Sequence, residues 1–323
     1  MTLWQRWWRQ PQRVWVRRAM FQVHLWTGLA LGLYIVLLSV TGSVLVYRIE
    51  LDRWQATPTP TFDPDRPVVE KAIITAAAIH EYPGWTILRQ GERISRRFPA
   101  IGMTLERDGE QIERIFDPYT GAHLGEAVTW GQLQILKLAE LHDDLLFGRE
   151  GRWWNGVASG FVTVLVLTGL VVWWPGANRW KRSLGVKVSG GWRIFTWDLH
   201  SAMGFWLFGF LLIWGVSGMY LGVPDPFSWL NDMTRPEDGS ESTGDIILLW
   251  MTRLHFGRWR DLPWLKAVWA AAGIVPAIMF VTGGVMWWNR VVRPKLRSRS
   301  RAMVLEPVRS DAGAKAPALR VEM

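Results

Sequence analysis

The chain of 323 residues has no cysteine. That absence excludes cysteine-ligated iron–sulfur clusters, structural disulfides and haem attached through C-x-x-C-H. Histidine is scarce too, with six in the chain, yet it is left as the only strong neutral ligand for a soft or borderline metal centre. No G-x-G-x-x-G follows a strand-like run and no P-loop is present, so neither a nucleotide nor a flavin site is expected. Charge is missing from four long stretches, residues 21–47, 157–174, 199–223 and 267–289. Each meets the requirement of roughly 20 apolar residues for crossing a bilayer, the second only just. Pro276 is expected to bend or loosen the fourth, which membrane helices tolerate.

What the chain has instead is tryptophan, 24 residues of it, in a sequence that is 49% hydrophobic. Tryptophan favours the lipid–water boundary, so the composition reads as a membrane protein. The net charge of +9 does not indicate nucleic acid, because the basic residues gather beside the ends of the apolar stretches. Arg6, Arg9, Arg13, Arg17 and Arg18 precede the first. Arg179, Lys181, Arg182, Lys187 and Arg193 lie between the second and third, and Arg290, Arg293, Lys295, Arg297, Arg299 and Arg301 follow the fourth. The loop between the third and fourth is acidic, with Asp225, Asp232, Glu237, Asp238, Glu241 and Asp245. The positive-inside rule then makes residues 1–20, 175–198 and 290–323 cytoplasmic and 48–146 and 224–263 external. The first stretch is too long for a signal-peptide core and no small-residue cleavage site follows it, so it is expected to stay as an anchor. The Ala- and Pro-rich tail from about Ser298 has the composition of a disordered segment.

Residues 48–146 read as a small α+β module. Pro58, Pro60, Pro64 and Pro67 mark an extended linker. Val68–Tyr82 has the period of an amphipathic helix, and Trp85–Leu88, Gly102–Glu106 and Gln111–Phe116 alternate as strands do. Asp117-Pro118-Tyr119-Thr120-Gly121 has the chemistry of a turn. Trp130–Phe147 is amphipathic and is expected to run along the membrane surface.

A helix, then strands, then a D-P-x-T-G turn resembles the PepSY domain. Its position between the first two of four membrane stretches resembles the PepSY-associated transmembrane family over roughly Arg18 to Arg293. The resemblance implies an inner-membrane protein of the siderophore-reductase kind that carries b-type haem.

The membrane part also reads as a duplication. His24 and His200 each begin the pattern H-x3-G-x12-[ST]-G, which ends at Thr41-Gly42 and at Ser217-Gly218. Thr168-Gly169-Leu170-Val171-Val172-Trp173-Trp174 parallels Thr282-Gly283-Gly284-Val285-Met286-Trp287-Trp288. His142 lies 26 residues before Thr168, and His255 lies 27 before Thr282. The expected fold is a membrane all-α four-helix bundle of two repeated helix pairs, with an inserted periplasmic α+β PepSY-like domain.

In that topology His24 and His200 lie near the cytoplasmic face and His142 and His255 near the outer face. Ionisable groups in membrane segments are costly and are commonly retained for function. Two facing imidazoles suit axial ligation of haem iron, so two bis-histidine b-type haems are expected. Arg149 and Arg258 near the outer pair, and Arg17, Arg18 and Arg193 near the inner one, are candidates for pairing with haem propionates. Gly28, Gly32, Gly204 and Gly209, and Gly42, Gly169, Gly218 and Gly283, are candidates for close approach. Trp26, Trp197 and Trp206 are candidates for packing on the inner macrocycle, and Asp143 or Asp144 for accepting from the second ring nitrogen of His142. His80 and His123 have no counterpart in the second half and read as surface residues of the soluble module.

The activity expected from this set is electron transfer to a ferric siderophore during iron uptake. The electron donor is a quinol or another protein; the other contact is membrane lipid. Two alternatives stand beside it, a quinol-linked cytochrome b-type subunit serving a partner enzyme and a non-redox PepSY binding or regulatory protein.

Overall fold

The computed structural model describes residues 2–296 except 92–93, 97, 235–241, 258 and 260–261. Arg258, the acidic loop residues Glu237, Asp238 and Glu241, and the tail from 297 onward lie outside the described residues. The described chain begins with α1 (Leu3–Arg9), capped by Thr2 and Gln5, followed by α2 (Trp15–Ala30), α3 (Gly32–Leu45) and α4 (Arg48–Gln55). The soluble module holds α5 (Lys71–Glu81), β1 (Thr86–Gln90), β2 (Ile101–Arg107), β3 (Glu110–Phe116) and β4 (His123–Glu126). Then come α6 (Trp130–Asp144), α7 (Gly148–Trp173), α8 (Gly191–Trp206), α9 (Phe208–Gly222), α10 (Ser228–Thr234), α11 (Thr243–Phe256) and α12 (Pro263–Trp287).

Two of these helices, α7 and α12, are long and apolar enough to cross a membrane, and up to four spans result if α2–α3 and α8–α9 each count as one. The pattern of burial fits lipid rather than water. Along α7, Phe161, Val164, Leu167 and Leu170 are exposed, while Ser159 and Thr168 are buried. Ser39 and Thr41 of α3, Ser217 of α9 and Thr282 of α12 are buried as well. Small polar residues packed inside and large apolar residues facing out are what helices in hydrocarbon require, since lipid gives no reason to hide Leu or Val. The chain is a mostly helical membrane protein with a small four-stranded sheet.

The first and third apolar stretches, expected as unbroken spans, are each two helices. The breaks fall at Leu31 (φ −88°, ψ 0°) and Leu207 (φ −102°, ψ 6°). Each stands seven residues after a histidine of the H-x3-G pattern. A break of one residue leaves composition unchanged, so hydropathy does not register it. Pro276, by contrast, sits inside a continuous α12. Ser39 repairs the ladder there: its hydroxyl donates to the Gly273 carbonyl and accepts from the Ala277 N–H. A side-chain hydroxyl bridging the helix at a proline is one of the standard routes to a loosened turn.

The helices fall into two compact units. The first comprises Met1–Ala30, Thr168–Phe208 and Ile278–Met323. Within it Arg17 Nη2 donates to the Val172 carbonyl at 2.6 Å, and Trp174 Nε1 donates to the Trp7 carbonyl at 3.3 Å.

The second unit comprises Leu31–Leu167 and Gly209–Ala277 and includes the soluble module. Its sheet is an antiparallel meander in the order β1-β2-β3-β4. The β2–β3 hairpin turns on Asp108-Gly109, both at positive φ (53° and 83°), as a two-residue hairpin loop requires. Ile74 and Ala78 of α5 pack on Ile101 and Met103 of β2 and Phe116 of β3 to make the core. In the D-P-x-T-G turn, Asp117 Oδ1 accepts from the N–H groups of Tyr119 (2.7 Å) and Thr120 (3.1 Å), and Gly121 takes φ 77°. Strand β4, four residues long, leaves no alternation in the sequence because its burial does not alternate. The module joins α6 through Thr129, which caps that helix in a capping box with Gln132 and donates to the Gln55 carbonyl at 2.7 Å. Helix α6 then packs along α3 and α4.

Candidate functional site

Four histidines pair within the two units. In the first unit, His24 of α2 and His200 of α8 face each other with ring centroids 6.4 Å apart. His24 Nδ1 lies 3.4 Å from the Thr168 hydroxyl of α7. His200 Nδ1 lies 3.0 Å from both the Thr282 hydroxyl and the Met279 carbonyl of α12. Each threonine is followed by a glycine that makes room for the ring. A Cβ at Gly169 would stand 3.0 Å from His24 Cε1, and one at Gly283 would stand 3.3 Å from His200 Cε1.

The second unit repeats the arrangement. His142 of α6 and His255 of α11 have ring centroids 6.4 Å apart. His142 Nδ1 lies 2.9 Å from the Thr41 hydroxyl of α3, and His255 Nδ1 lies 2.7 Å from the Ser217 hydroxyl of α9. A Cβ at Gly42 would stand 2.8 Å from His142 Cε1. At Gly218 the closer obstacle is the Ser159 hydroxyl, 2.7 Å away, with His255 Cε1 at 4.0 Å. Every histidine of the two pairs is therefore met by a Ser/Thr-Gly dipeptide on another helix.

These contacts fix the tautomer. The Met279 carbonyl can only accept, so His200 Nδ1 carries the proton. The Thr41 hydroxyl donates its one proton to the Leu37 carbonyl, and that of Ser217 donates to the Ile213 carbonyl. Each then accepts from the imidazole Nδ1–H. In His142, His200 and His255 the basic nitrogen is Nε2, the form in which imidazole binds a metal. Burial pushes the His255 imidazole down to about 4, with His142 adding in the same direction. It also lowers His142, against an opposing pull from Asp143. Burial thus favours the neutral form of both rings, the form that ligation demands.

The spacing fits a metal held between two imidazoles. A metal–nitrogen bond of about 2.0–2.1 Å plus roughly 1.1 Å from nitrogen to ring centre, taken twice, separates two axial rings by about 6.3 Å. Both pairs stand at 6.4 Å. No group of three or more His, Cys, Asp or Glu able to hold a bare ion occurs among the described residues.

The His142–His255 pair lines a cavity of about 350 Å³, within the range of ligand pockets. Its walls are apolar, with Leu38, Val162, Leu211 and Trp214 among them, and Arg48, Asp143, Arg152 and Asn155 supply polar groups. Arg149, an expected anion partner, is exposed and absent from this lining. Arg152, one helical turn further along α7, and Arg48 do line it, and both are exposed as well. Neither Asp143 nor Asp144 receives the second nitrogen of His142; Thr41 does. Trp26, Trp197 and Trp206, expected against the inner ring, are 60%, 50% and 64% exposed, the disposition of a lipid-facing belt. Gly204 would place a Cβ 3.2 Å from Met279 Cε, and Gly209 has nothing within 4 Å. His80 is exposed, whereas His123 is half-buried, with its Nε2 3.0 Å from the Tyr82 hydroxyl.

The motif is shared between the two histidine pairs, which its spacing does not show. Thr41-Gly42 and Ser217-Gly218 end the pattern that starts at His24 and His200, yet they serve His142 and His255. The dipeptides that serve His24 and His200 come from α7 and α12. The signal lay in the four Ser/Thr-Gly pairs, one for each histidine.

Comparison with curated proteins gives no significant match. The PepSY-associated TM region matches residues 21–243 and 234–290. The chain belongs to the PepSY-associated transmembrane family.

Proposed function

We propose that this protein transfers electrons across a bacterial inner membrane through two b-type haems and reduces ferric siderophores on the outer side. The observation that carries this is the double pairing of histidines at 6.4 Å, each anchored at Nδ1 by a buried hydroxyl. His24 and His200 would hold one haem, and His142 and His255 the other. Bound there, haem would supply a one-electron couple, and a histidine from each helix of the pair would leave it suited to electron transfer rather than oxygen chemistry.

The chain's own groups do the rest. Hydroxyls at Thr41, Ser217 and Thr282 hold the ring orientation and raise the basicity of Nε2. Glycines at 42, 169 and 283 let the rings approach the neighbouring helices. Apolar walls around the outer pair exclude water, and Arg48 and Arg152 offer cations to the carboxylates of a porphyrin. In the charge-derived topology both termini are cytoplasmic, the PepSY-like module is periplasmic, and the two helix pairs form a four-helix bundle. The chain has no nucleotide motif, so a quinol or another protein supplies the electrons.

The test is stopped-flow mixing of the dithionite-reduced protein with a ferric hydroxamate siderophore. Reoxidation of the haem bands that rises with siderophore concentration, with ferrous iron captured by a chelator, is the expected result. Haem that reoxidises no faster with siderophore than in anaerobic buffer removes the iron substrate and leaves a quinol-linked subunit. A protein with no haem bands at all leaves a binding module.

A further inference from the structure

The outer histidines sit in the last turns of α6 and α11, where a helix leaves its final carbonyls without intrahelical partners. Helix α6 closes on Leu145 and Leu146 at φ 55° and 67°, a left-handed pair that non-glycine residues adopt at a cost. Something must hold that end in place. Asn155 of α7 does so, donating from Nδ2 to the carbonyls of His142 (2.7 Å) and Asp143 (3.0 Å). Its amide is oriented by Tyr34 of α3, whose hydroxyl donates to Asn155 Oδ1 at 2.6 Å.

The other half solves the same problem with different chemistry. Helix α11 closes on Gly257 at φ 57°. Trp269 of α12 donates from Nε1 to the Leu254 carbonyl at 2.7 Å, one residue before His255. Phe210 of α9 braces that indole, edge to face, with ring centroids 5.0 Å apart. The positions correspond. Asn155 and Trp269 each stand thirteen residues before the threonine of a Thr-Gly pair, and Tyr34 and Phe210 each stand ten residues after His24 and His200. A polar pair, Tyr–Asn, in one half occupies the places of an aromatic pair, Phe–Trp, in the other.

We infer that Tyr34–Asn155 and Phe210–Trp269 are two forms of one positioning device, each using a side-chain N–H to fix the backbone of an outer ligand helix. This deepens the bis-histidine reading of the outer site. It makes the two outer imidazoles unequal: one is held through a hydrogen-bonded network open to polar groups, the other through packed rings. Asn155 and Trp269 are positioning residues, since each acts on the histidine through its helix.

The experiment uses the haem-loaded full-length protein. Haem transfer to an excess of a scavenging apoprotein is followed together with the low-spin EPR signals of each site, assigned with His200→Ala. The variants are Asn155→Asp, nearly isosteric but unable to donate, and Trp269→Phe, which keeps a ring and deletes the donor. Both are expected to release the outer haem about 10- to 100-fold faster, the usual size of an outer-shell effect on metal retention. The g-values of the outer signal should shift, while the inner haem keeps its rate and its signal. The retained inner haem shows that the variant is folded. Tyr34→Phe should give a smaller change of the same kind, because the donor remains and only its orientation is freed. Unchanged outer haem loss and g-values in Asn155→Asp and Trp269→Phe would overturn the inference, and so would equal acceleration at both sites. A wild-type protein that binds no haem fails the functional reading instead. Amide exchange over residues 141–146 then tests the clamp directly: protection in the wild type that survives Asn155→Asp contradicts it.

Discussion

Alanine substitution of the glycines beside the histidines tests the cradles by a graded series. Ordinary van der Waals contact begins at about 3.4 Å. A Cβ at Gly42 would stand 2.8 Å from His142 Cε1, at Gly169 3.0 Å from His24 Cε1, and at Gly283 3.3 Å from His200 Cε1. The rings must then retreat by about 0.6, 0.4 and 0.1 Å, and a retreat of the first size strains the Thr41–His142 bond as well. Gly284, the next residue after Gly283, has nothing within 4 Å, and alanine there should be harmless. Overpacking of a tight site costs about 1–3 kcal/mol, or roughly a 5- to 150-fold loss of haem affinity at 1.4 kcal/mol per tenfold. Gly42→Ala should fall in the upper part of that range and Gly169→Ala in the lower part. Gly283→Ala should lose a few-fold at most, and Gly284→Ala nothing. Helix propensity works the other way, since alanine favours a helix interior by about 0.5–1 kcal/mol over glycine, so any loss is read against a stabilising background. Haem affinity is measured by competition with a scavenging apoprotein, with circular dichroism as the folding control. Gly42→Ala must affect the outer haem and Gly169→Ala the inner one. Equal losses across all four variants, or a loss in Gly284→Ala matching that in Gly42→Ala, refutes the reasoning.

Ser217→Ala leaves the buried Nδ1–H of His255 without its hydroxyl acceptor, which costs about 1–3 kcal/mol, and should speed loss of the outer haem with the inner haem unaffected; Thr41→Val should act more weakly, because the Leu38 carbonyl still accepts from His142. Thr282→Val should act more weakly on the inner haem, because the Met279 carbonyl still accepts from His200. Spectroelectrochemistry of Arg48→Ala and Arg152→Ala should show a lower midpoint potential for the outer haem, since removing a nearby cation disfavours the reduced form, while Arg149→Ala leaves it in place. Phe116→Ala empties the centre of the soluble module and should destabilise it by about 3–5 kcal/mol, seen as an earlier thermal transition with unchanged inner haem bands.

The apolar stretches, the helix-strand-strand-strand order of the module and the four paired histidines were legible in the sequence because each leaves a mark in composition, periodicity or spacing. The breaks at Leu31 and Leu207 were not, since one residue with a shifted ψ alters no pattern. Strand β4 escaped because it is short and lacks alternation. The cradles were half legible: the Ser/Thr-Gly pairs stood out, but which histidine each one meets depends on how helices pack, and spacing along one helix carries no information about that. Arg149 and Arg152 lie on the same helix, a turn apart, and that Arg152 lines the cavity follows from the packing of α7, which spacing does not show. The Tyr34–Asn155 and Phe210–Trp269 clamps were hidden by their chemical difference, which defeats a search for repeated residues although the positions repeat.

The most direct test of the central claim is a redox titration of the purified full-length protein, followed by visible absorption and low-temperature EPR. Two bis-histidine sites predict two haems per chain, both six-coordinate and low-spin, resolved as two titrating components, with one component missing in His200→Ala. A chain that binds no haem, a single haem that survives His200→Ala, or a high-spin five-coordinate signal in the wild type contradicts the account.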